Sequence, residues 1–230
     1  NDTTIDAQPC PGAPTVTDVD GNVYNTVQIG EQCWMRENLR TTKYADGTTI
    51  PFGIILSSTP SRYYPDDNSA NVADYGYLYN WAAVMNGAAS SGANPSGVQG
   101  ICPNGWHVPS NAEWTELTTY VSSQSQYVCG SSTSNIAKAL ASEEGWDSST
   151  VNCAVGNNPS TNNATGFSAR PAGPNAMSPN HFGNSAYFWS ATQITNNNEA
   201  MFRSLYSNSA NVGDNADDKR DGYSVRCVRN

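Results

Sequence analysis

Six cysteines and two histidines have the widest chemical range of any residues in this chain, and their spacing favours disulfides over metal or redox chemistry. The cysteines are scattered along the sequence, as Cys10, Cys33, Cys102, Cys129, Cys153 and Cys227. They form no C-x-x-C motif, which argues against a zinc or redox site, and an even, scattered set is typical of an oxidising compartment. The most economical pairing is Cys10–Cys33, Cys129–Cys153 and Cys102–Cys227. Free buried thiols are the alternative.

The sequence contains no clear set of residues for acid–base or nucleophilic catalysis. His107 precedes a predicted helix and His181 lies in a predicted loop, so we interpret both as structural. The adjacent carboxylates Glu143-Glu144 and Asp66-Asp67 have no spacing that implies an acid and a base across a substrate. We therefore expect a protein that is not an enzyme.

Four aspartates near the C-terminus form the densest group of oxygen ligands: Asp214, Asp217, Asp218 and Asp221. Carboxylate and amide oxygens are the ligands that calcium prefers, so these residues form a candidate calcium site. A solvated loop, in which Lys219 and Arg220 balance the charge, is the alternative that we favour. The earlier Asp18-x-Asp20-Gly21 lacks an acidic residue at the twelfth loop position and predicts a hairpin turn instead.

The composition excludes several classes of protein. The net charge is -9 with 11 Lys and Arg, and no basic run is present, which argues against a nucleic-acid partner. No apolar stretch is long enough to predict a membrane span. Asn, Ser and Thr make up nearly a third of the chain, but Phe, Trp and Tyr make up 10%. That aromatic content predicts a folded, loop-rich domain rather than disorder.

The elements that must position these residues are short. Residues 1–14 read as an N-terminal arm, residues 15–230 as one domain, and residues 51–73 as a long surface excursion. The predicted helices are Tyr75–Met85, one that begins at the capping box Ser110-Asn111-Ala112-Glu113, and one from about Ser134 to Glu144. The predicted C-terminal strands are Tyr187–Thr192, Ala200–Tyr206 and Tyr223–Val228.

Five blocks carry a resemblance to a known family. They are DVDGNVYNTVQIGEQCWMRENL from Asp18, YGYLYNW from Tyr75, GICPNGWHVPS from Gly100, FWSAT from Phe188 and GYSVRCVR from Gly222. In this order they resemble the Fibrobacter succinogenes major paralogous domain, found on secreted and surface proteins of Bacteroidetes and their relatives.

The resemblance implies an α+β, C-type-lectin-like fold with three disulfides. Two main helices would flank small antiparallel sheets, and long loops would share one face. A Cys102–Cys227 clasp fits that layout. The sulfatase-modifying relatives of this fold use reactive cysteines, but Cys227 here lies in a predicted strand with a disulfide partner, which argues against an inherited oxidase activity.

The loops 51–73 and 192–221 are the predicted ligand-binding surface of a secreted or cell-surface protein. Tyr and Asn on loops supply rigid aromatic contacts and amide hydrogen bonds, which suit recognition of a glycan or a surface protein, as in adhesion. The candidate residues are Tyr63, Tyr64, Asn197, Arg203, Tyr206, Asn208 and Asn211. The alternative is a structural subunit of an extracellular filament that self-associates through the N-terminal arm by strand addition.

Overall fold

The computed structural model describes residues 7–54, 56–175, 181–195 and 198–230, and in these residues the chain folds into three small antiparallel sheets. The strands are β1 (Thr15–Thr17), β2 (Val23–Ile29), β3 (Gln32–Met35), β4 (Arg62–Tyr63), β5 (Leu78–Tyr79), β6 (Trp106–His107), β7 (Ser185–Gln193), β8 (Glu199–Tyr206), β9 (Gly213–Asp218) and β10 (Val228–Arg229). The first sheet has the order β1-β2-β3-β10-β6, β4 pairs with β5, and the third sheet has the order β7-β8-β9. Because β10 lies between β3 and β6, the last strand closes onto the first hairpin.

The helices of the described residues are shorter than predicted, with one exception. They are α1 (Val72–Tyr75), α2 (Trp81–Met85), α3 (Asn111–Ser123) and α4 (Ala137–Leu140). The capping box is confirmed, since Ser110 and Glu113 make both reciprocal hydrogen bonds at the start of α3. None of these helices has the length and apolar character needed to cross a membrane.

The predicted helix Tyr75–Met85 is wrong over its first half. Gly76 adopts φ 73°, and a Cβ there would lie 2.6 Å from the Leu39 carbonyl oxygen, so the chain turns at a position that needs glycine. Leu78 and Tyr79 then pair with β4. After Gly76, only the residues that follow Asn80 form a helix, because the Asn80 side chain caps it.

Two further predicted elements have different boundaries in the structure, because pairing with distant strands overrides the local sequence pattern. The predicted helix from Ser134 to Glu144 ends at Leu140, since Ala141 pairs with Ala169. The predicted strand Tyr223–Val228 is divided, because Tyr223 bridges to Tyr79 and only Val228 continues into β10. The Asp-rich segment predicted as a loop is the edge strand β9, paired with β8 along its length.

A cluster of aromatic rings forms one half of the core. Trp34 and Trp114 pack with ring centroids 4.6 Å apart, and Phe167 and Phe188 contact them. The fully buried guanidinium of Arg226 lies 4.6 Å from the centroid of Phe167. Burying a charge is costly unless it is hydrogen-bonded, and Arg226 donates to the carbonyls of Met35, Phe167 and Ser168 and to Oδ1 of Asn38. This side chain therefore ties the last segment to two others, residues 35–38 and residues 167–168.

All six cysteines are in disulfides, in the predicted pairing. The free-thiol alternative is wrong. Cys10–Cys33 and Cys129–Cys153 close local loops, whereas Cys102–Cys227 joins residues 125 apart, next to β6 and β10. The long disulfide thus reinforces the strand pairing that closes the first sheet.

The described part of the N-terminal arm, residues 7–14, pairs with its own domain. The Gln28 amide donates to the carbonyl of Gln8 at 2.9 Å, and the Thr26 amide donates to that of Pro14 at 3.1 Å. The first disulfide adds a covalent link. Residues 1–6 of the arm lie outside the described residues.

Candidate ligand-binding site

A surface cavity of about 450 Å³ lies where the two predicted loops meet. Ser58 comes from the excursion 51–73, Trp81 and Ala82 from the start of α2, and the remaining wall from the ends of β8 and β9. That remaining wall consists of Asn198, Asp218, Lys219 and Arg220. Segments far apart in sequence therefore share one concave site, and its volume is within the range of small-ligand pockets.

Asn80 positions both the helix and the loop on one side of the cavity. Its Oδ1 accepts the amide of Ala83 at 3.0 Å, which caps α2, and also the amide of Ser61 at 3.0 Å. Its Nδ2 donates to the carbonyls of Ser57 and Thr59 at 2.8 and 2.7 Å. The side chain is fully buried. One amide group thus fixes the backbone on both sides of Ser58 relative to Trp81.

Lys219 packs against Trp81 in the cavity wall. The Lys219 ammonium lies 4.3 Å from the indole centroid and donates to Oε1 of Gln193 at 2.6 Å. The Trp81 amide donates to the Lys219 carbonyl at 2.9 Å, and Nε1 of the indole donates to the Ser190 carbonyl at 2.9 Å. Burial lowers the pKa of Lys219. The wall is a partly desolvated cation on a fixed aromatic ring.

Arg220 and Asp218 form an ion pair at the rim. Nε of Arg220 donates to Oδ1 of Asp218 at 2.9 Å, and Nη2 donates to Oδ2 at 2.6 Å. The hydrogen bond from Arg220 lowers the pKa of Asp218 and outweighs the opposing effect of burial. This two-point contact leaves Nη1 of Arg220 outside the pair.

The other aspartates close to Asp218 in sequence do not line the cavity wall. Asp217 accepts the Tyr223 hydroxyl at 2.7 Å. Asp221 is only 7% exposed, and its pKa is raised to about 7 by burial and then by the negative charges of Asp217 and Asp218. Asp218 is therefore the carboxylate that the described residues contribute to the wall.

The structure separates the four aspartates that we considered for calcium. Asp214 pairs with Arg203, and Asp217 and Asp218 have the partners given above. Asp214 and Asp217 are three residues apart in β9, so their side chains point to opposite faces of the sheet. The described residues contain no group of three or more His, Cys, Asp or Glu side chains arranged to hold a metal ion.

The predicted ligand-binding tyrosines occupy three different environments. Tyr63 is only 5% exposed and its hydroxyl donates to the Ile54 carbonyl, so its ring offers no face to a ligand. Tyr64 packs 4.5 Å from the half-exposed Phe52, in a surface group of aromatic rings. Tyr206 is half-buried and its hydroxyl bonds that of Tyr187 at 3.1 Å. None of the three lines the cavity wall described above.

Arg203 has a structural environment. It is 2% exposed, and its guanidinium donates to the Asn111 carbonyl and side chain, to Thr115 and to Asp214. Burial lowers its pKa, and Asp214 opposes that shift. Arg203 therefore connects the start of α3 to the third sheet and is not available at the surface.

The predicted asparagines lie at the wrong end of the β8–β9 hairpin for the cavity. Asn208 and Asn211 are exposed in the turn between these strands. At the opposite end of the hairpin, Asn198 directly precedes β8 and Lys219 directly follows β9. At about 3.3 Å per residue the two ends are roughly 20 Å apart. Asn197 lies outside the described residues.

Sequence reasoning missed Trp81 and Asn80, which it placed inside a continuous helix, and it interpreted Lys219 and Arg220 only as balancing charges. An Asn directly before an apolar helical run was the available indication of a cap.

His107 is buried, as predicted for a structural histidine. Its Nε2 lies 2.5 Å from Oε1 of Glu113 and its Nδ1 lies 2.6 Å from Oδ1 of Asn230.

Comparison with known proteins gives one family. The family model described as the Fibrobacter succinogenes major domain matches residues 27–229. No curated protein and no solved structure matches the chain.

Proposed function

The chain belongs to the Fibrobacter succinogenes major domain family, and from this premise we propose that it is a non-enzymatic, extracellular ligand-binding module that takes a glycan into the cavity between Ser58, Trp81 and Lys219. The same site would serve adhesion if the protein is displayed on a cell. We also propose that its mixed helix and strand architecture is a variant of the C-type-lectin-like fold. The adjacency of the first hairpin and β10, under the Cys102–Cys227 disulfide, supports that assignment.

One observation carries the proposal: two long polar loops, separate in sequence, converge on a concave site of ligand size. The wall combines an indole with amide, hydroxyl and charged groups on a backbone fixed by Asn80. A few polar groups around an aromatic surface are typical of pockets that orient a polar ligand. Three disulfides support an oxidising, extracellular location.

Filling the cavity tests this function. Ser58 is exposed on the cavity wall, so Ser58→Trp should block the cavity without disturbing the core. Ser131→Trp, in an exposed turn outside the wall, is the matched control. On a glycan array we expect wild type and Ser131→Trp to bind the same glycans, and Ser58→Trp to lose them while it keeps the wild-type melting temperature. Binding that survives Ser58→Trp would show that the ligand site is elsewhere.

The alternative, a structural subunit that self-associates, is tested on the same samples. Light scattering and electron microscopy would show filaments or oligomers. We expect monomers, because residues 8–14 of the arm already form hydrogen bonds with β2 of the same molecule, and the Cys10–Cys33 disulfide links the arm to β3. Filaments that form regardless of Ser58→Trp would favour the alternative.

A further inference from the structure

One arginine of the excursion 51–73 lies within a group of partly exposed apolar side chains. The Arg62 guanidinium lies 4.0 Å from the ring centroid of Phe52 and 5.3 Å from that of Tyr77. Tyr64 contacts both rings, with centroid distances of 4.5 Å to Phe52 and 5.9 Å to Tyr77. Phe52 is 46% exposed, and Ile54, close to it in sequence, is 81% exposed. We call these five residues the Arg62 surface.

The charge of Arg62 has no partner in the part of the chain that the structure describes. Its Nε and Nη1 are buried without a hydrogen bond, and Nη2 also lacks a partner among these residues but is not buried. No described carboxylate lies within ion-pair distance of the guanidinium. The two rings stabilise a cation, but they leave its N–H groups unsatisfied, which costs free energy. The buried Arg203 and Arg226, by contrast, each donate to several oxygen atoms.

Backbone contacts fix the Arg62 surface in place. The Arg62 amide donates to the Pro51 carbonyl at 2.9 Å, and the Gly53 amide donates to the Arg62 carbonyl at 3.3 Å. The Tyr63 hydroxyl donates to the Ile54 carbonyl at 3.3 Å. The most exposed side chain therefore stands on a held backbone, which reduces the entropy lost when a partner binds.

The side chains of the Arg62 surface are of the types that dominate protein interfaces. Tyrosine and arginine are enriched at hot spots, and exposed apolar patches mark interaction sites on soluble proteins. The polar groups of the surface are the guanidinium and the tyrosine hydroxyls, whereas a sugar residue carries several hydroxyls that need hydrogen bonds when buried. Ile54 and Phe52 match an apolar side chain instead, and a carboxylate is the group that compensates Arg62.

We propose that the Arg62 surface docks a partner protein through a segment that has Asp or Glu beside a large apolar residue. The carboxylate of that segment binds Nη2 of Arg62, and its apolar side chain covers Ile54 and Phe52. None of these residues lines the proposed glycan cavity, so the two sites are separate. The inference concerns recognition alone and involves no covalent step.

Selection from phage-displayed random peptides tests the surface with a defined probe. We expect the peptides that the wild-type protein enriches to share Asp or Glu within about two residues of Leu, Ile, Phe or Trp. An enriched peptide and its matched neutral form, with Asn for Asp or Gln for Glu, would then be titrated calorimetrically. The acidic peptide should bind at least about 10-fold more tightly, because charge-assisted hydrogen bonds are stronger than neutral ones.

A matched pair of variants locates the charge. Arg62→Met keeps an apolar stem against the rings and should remove most of the difference between acidic and neutral peptides. Its melting temperature should not fall, because two buried, unbonded nitrogens are lost with the charge. Arg40→Met is the control. Arg40 also lies on a ring, 4.9 Å from the Tyr24 centroid, but it donates to Asn22 and Val23, so its loss should leave peptide binding unchanged.

A second pair locates the apolar contact. Ile54→Ser should weaken the binding of acidic and neutral peptides alike, by about 10-fold, since the side chain is covered only in the complex. Val151→Ser changes a 50% exposed side chain outside the Arg62 surface and should have no effect on binding.

Several results would overturn the inference. Selection that enriches no peptide would do so, as would peptides that bind Arg62→Met and Ile54→Ser as tightly as they bind the wild type. Peptides that need Ile54 but bind equally with and without the carboxylate would show that the stated partner chemistry is wrong. A glycan that binds Ser58→Trp but not Arg62→Met would assign the surface to a carbohydrate. Peptide binding should survive Ser58→Trp, whatever the cavity binds, and its loss there would place the peptide in the cavity instead.

Discussion

His107 and Glu113 form a buried pair that joins the end of the first sheet to the start of α3. The imidazole Nε2 lies 2.5 Å from Oε1 of Glu113, and both side chains are almost fully buried. Oε2 of the same carboxylate accepts the backbone amides of Ser96 and Ser110. One carboxylate thus caps the helix and fixes the histidine, so we expect the pair to govern how stability depends on pH.

Replacing His107 by Gln should cost most stability at low pH. Burial lowers the pKa of His107, but the hydrogen bond and charge of Glu113 and the contact with Asn230 together raise it above its ordinary value of 6.5. The stabilisation is therefore complete below pH 6.5, where the unfolded histidine is also protonated, and is lost as the pH rises through the higher folded pKa. We expect a loss of about 3 kcal/mol at pH 5.5 and a smaller one at pH 9, from urea unfolding.

His181→Gln is the control for that comparison, because it removes a histidine from a turn before β7. Its stability should follow the wild-type pH dependence. A deficit in His107→Gln that is constant with pH, or that grows toward pH 9, would contradict the assignment of a charged pair.

The stability lost when a disulfide is removed should depend on the length of the loop that it closes. In the loop-entropy description, a cross-link over 125 residues restricts the unfolded chain more than one over 24. Cys102→Ala/Cys227→Ala should therefore lose about 5 kcal/mol, and Cys129→Ala/Cys153→Ala about 3.5 kcal/mol. Denaturant unfolding measures both. A larger loss for the shorter loop would show that native contacts, rather than chain entropy, decide the order.

Even a conservative replacement of Arg226 should destabilise the fold. Lysine keeps the charge but cannot reach the three carbonyls and one amide oxygen that the planar guanidinium bonds. We expect Arg226→Lys to lose about 3 kcal/mol in urea unfolding. Arg229→Lys, at an exposed arginine of β10 whose Nη1 donates to the Pro11 carbonyl, should lose less than about 0.5 kcal/mol. Similar small effects in both would indicate that the buried bonds contribute little.

The sequence predicted correctly the features that depend on side chains close together in the chain. The capping box at Ser110 and the hairpin turn at Asp18 need only side chains a few residues apart, and both form: Oδ1 of Asp18 accepts the amide of Asn22 at 2.9 Å. The disulfide pairing was also predicted, because nearby cysteines restrict the choice and the resemblance supported the long clasp.

Non-local pairing determined what the sequence did not predict. β9 carries three aspartates and resembles a loop, but its backbone pairs with β8, and the guanidinium of Arg203 donates to the Asp214 carboxylate. The cavity itself was not predictable, since Ser58, Trp81 and Lys219 come from three segments. Both predicted loops contribute residues to the cavity wall, whereas the tyrosines and the described asparagines predicted within them do not line it.

Asn80 offers a test of how the loop is held. Asn80→Ala removes a helix cap and two donors to loop carbonyls, so we expect a loss of about 2 kcal/mol. Asn80→Asp keeps the acceptor that caps α2, but it places a buried carboxylate oxygen against the carbonyls of Ser57 and Thr59, so it should lose more than Asn80→Ala. Asn68→Ala, which removes a cap from an exposed turn, is the matched control and should cost less than about 1 kcal/mol. A loss in Asn80→Asp that is no larger than that in Asn80→Ala would contradict a close, buried contact between this side chain and the two loop carbonyls.

The two ends of the β8–β9 hairpin should differ in their effect on ligand binding. Asn208 and Asn211 are exposed but lie roughly 20 Å from the cavity end, so the double variant Asn208→Ala/Asn211→Ala should bind glycans with unchanged affinity. Asn198→Ala and Lys219→Met, at the cavity end, should weaken binding about 10-fold. Titration calorimetry on folded samples of equal melting temperature makes the comparison. Loss of binding in the Asn208/Asn211 variant with normal binding in the other two would move the ligand site to the hairpin turn, because only a ligand seated there would sense these amides.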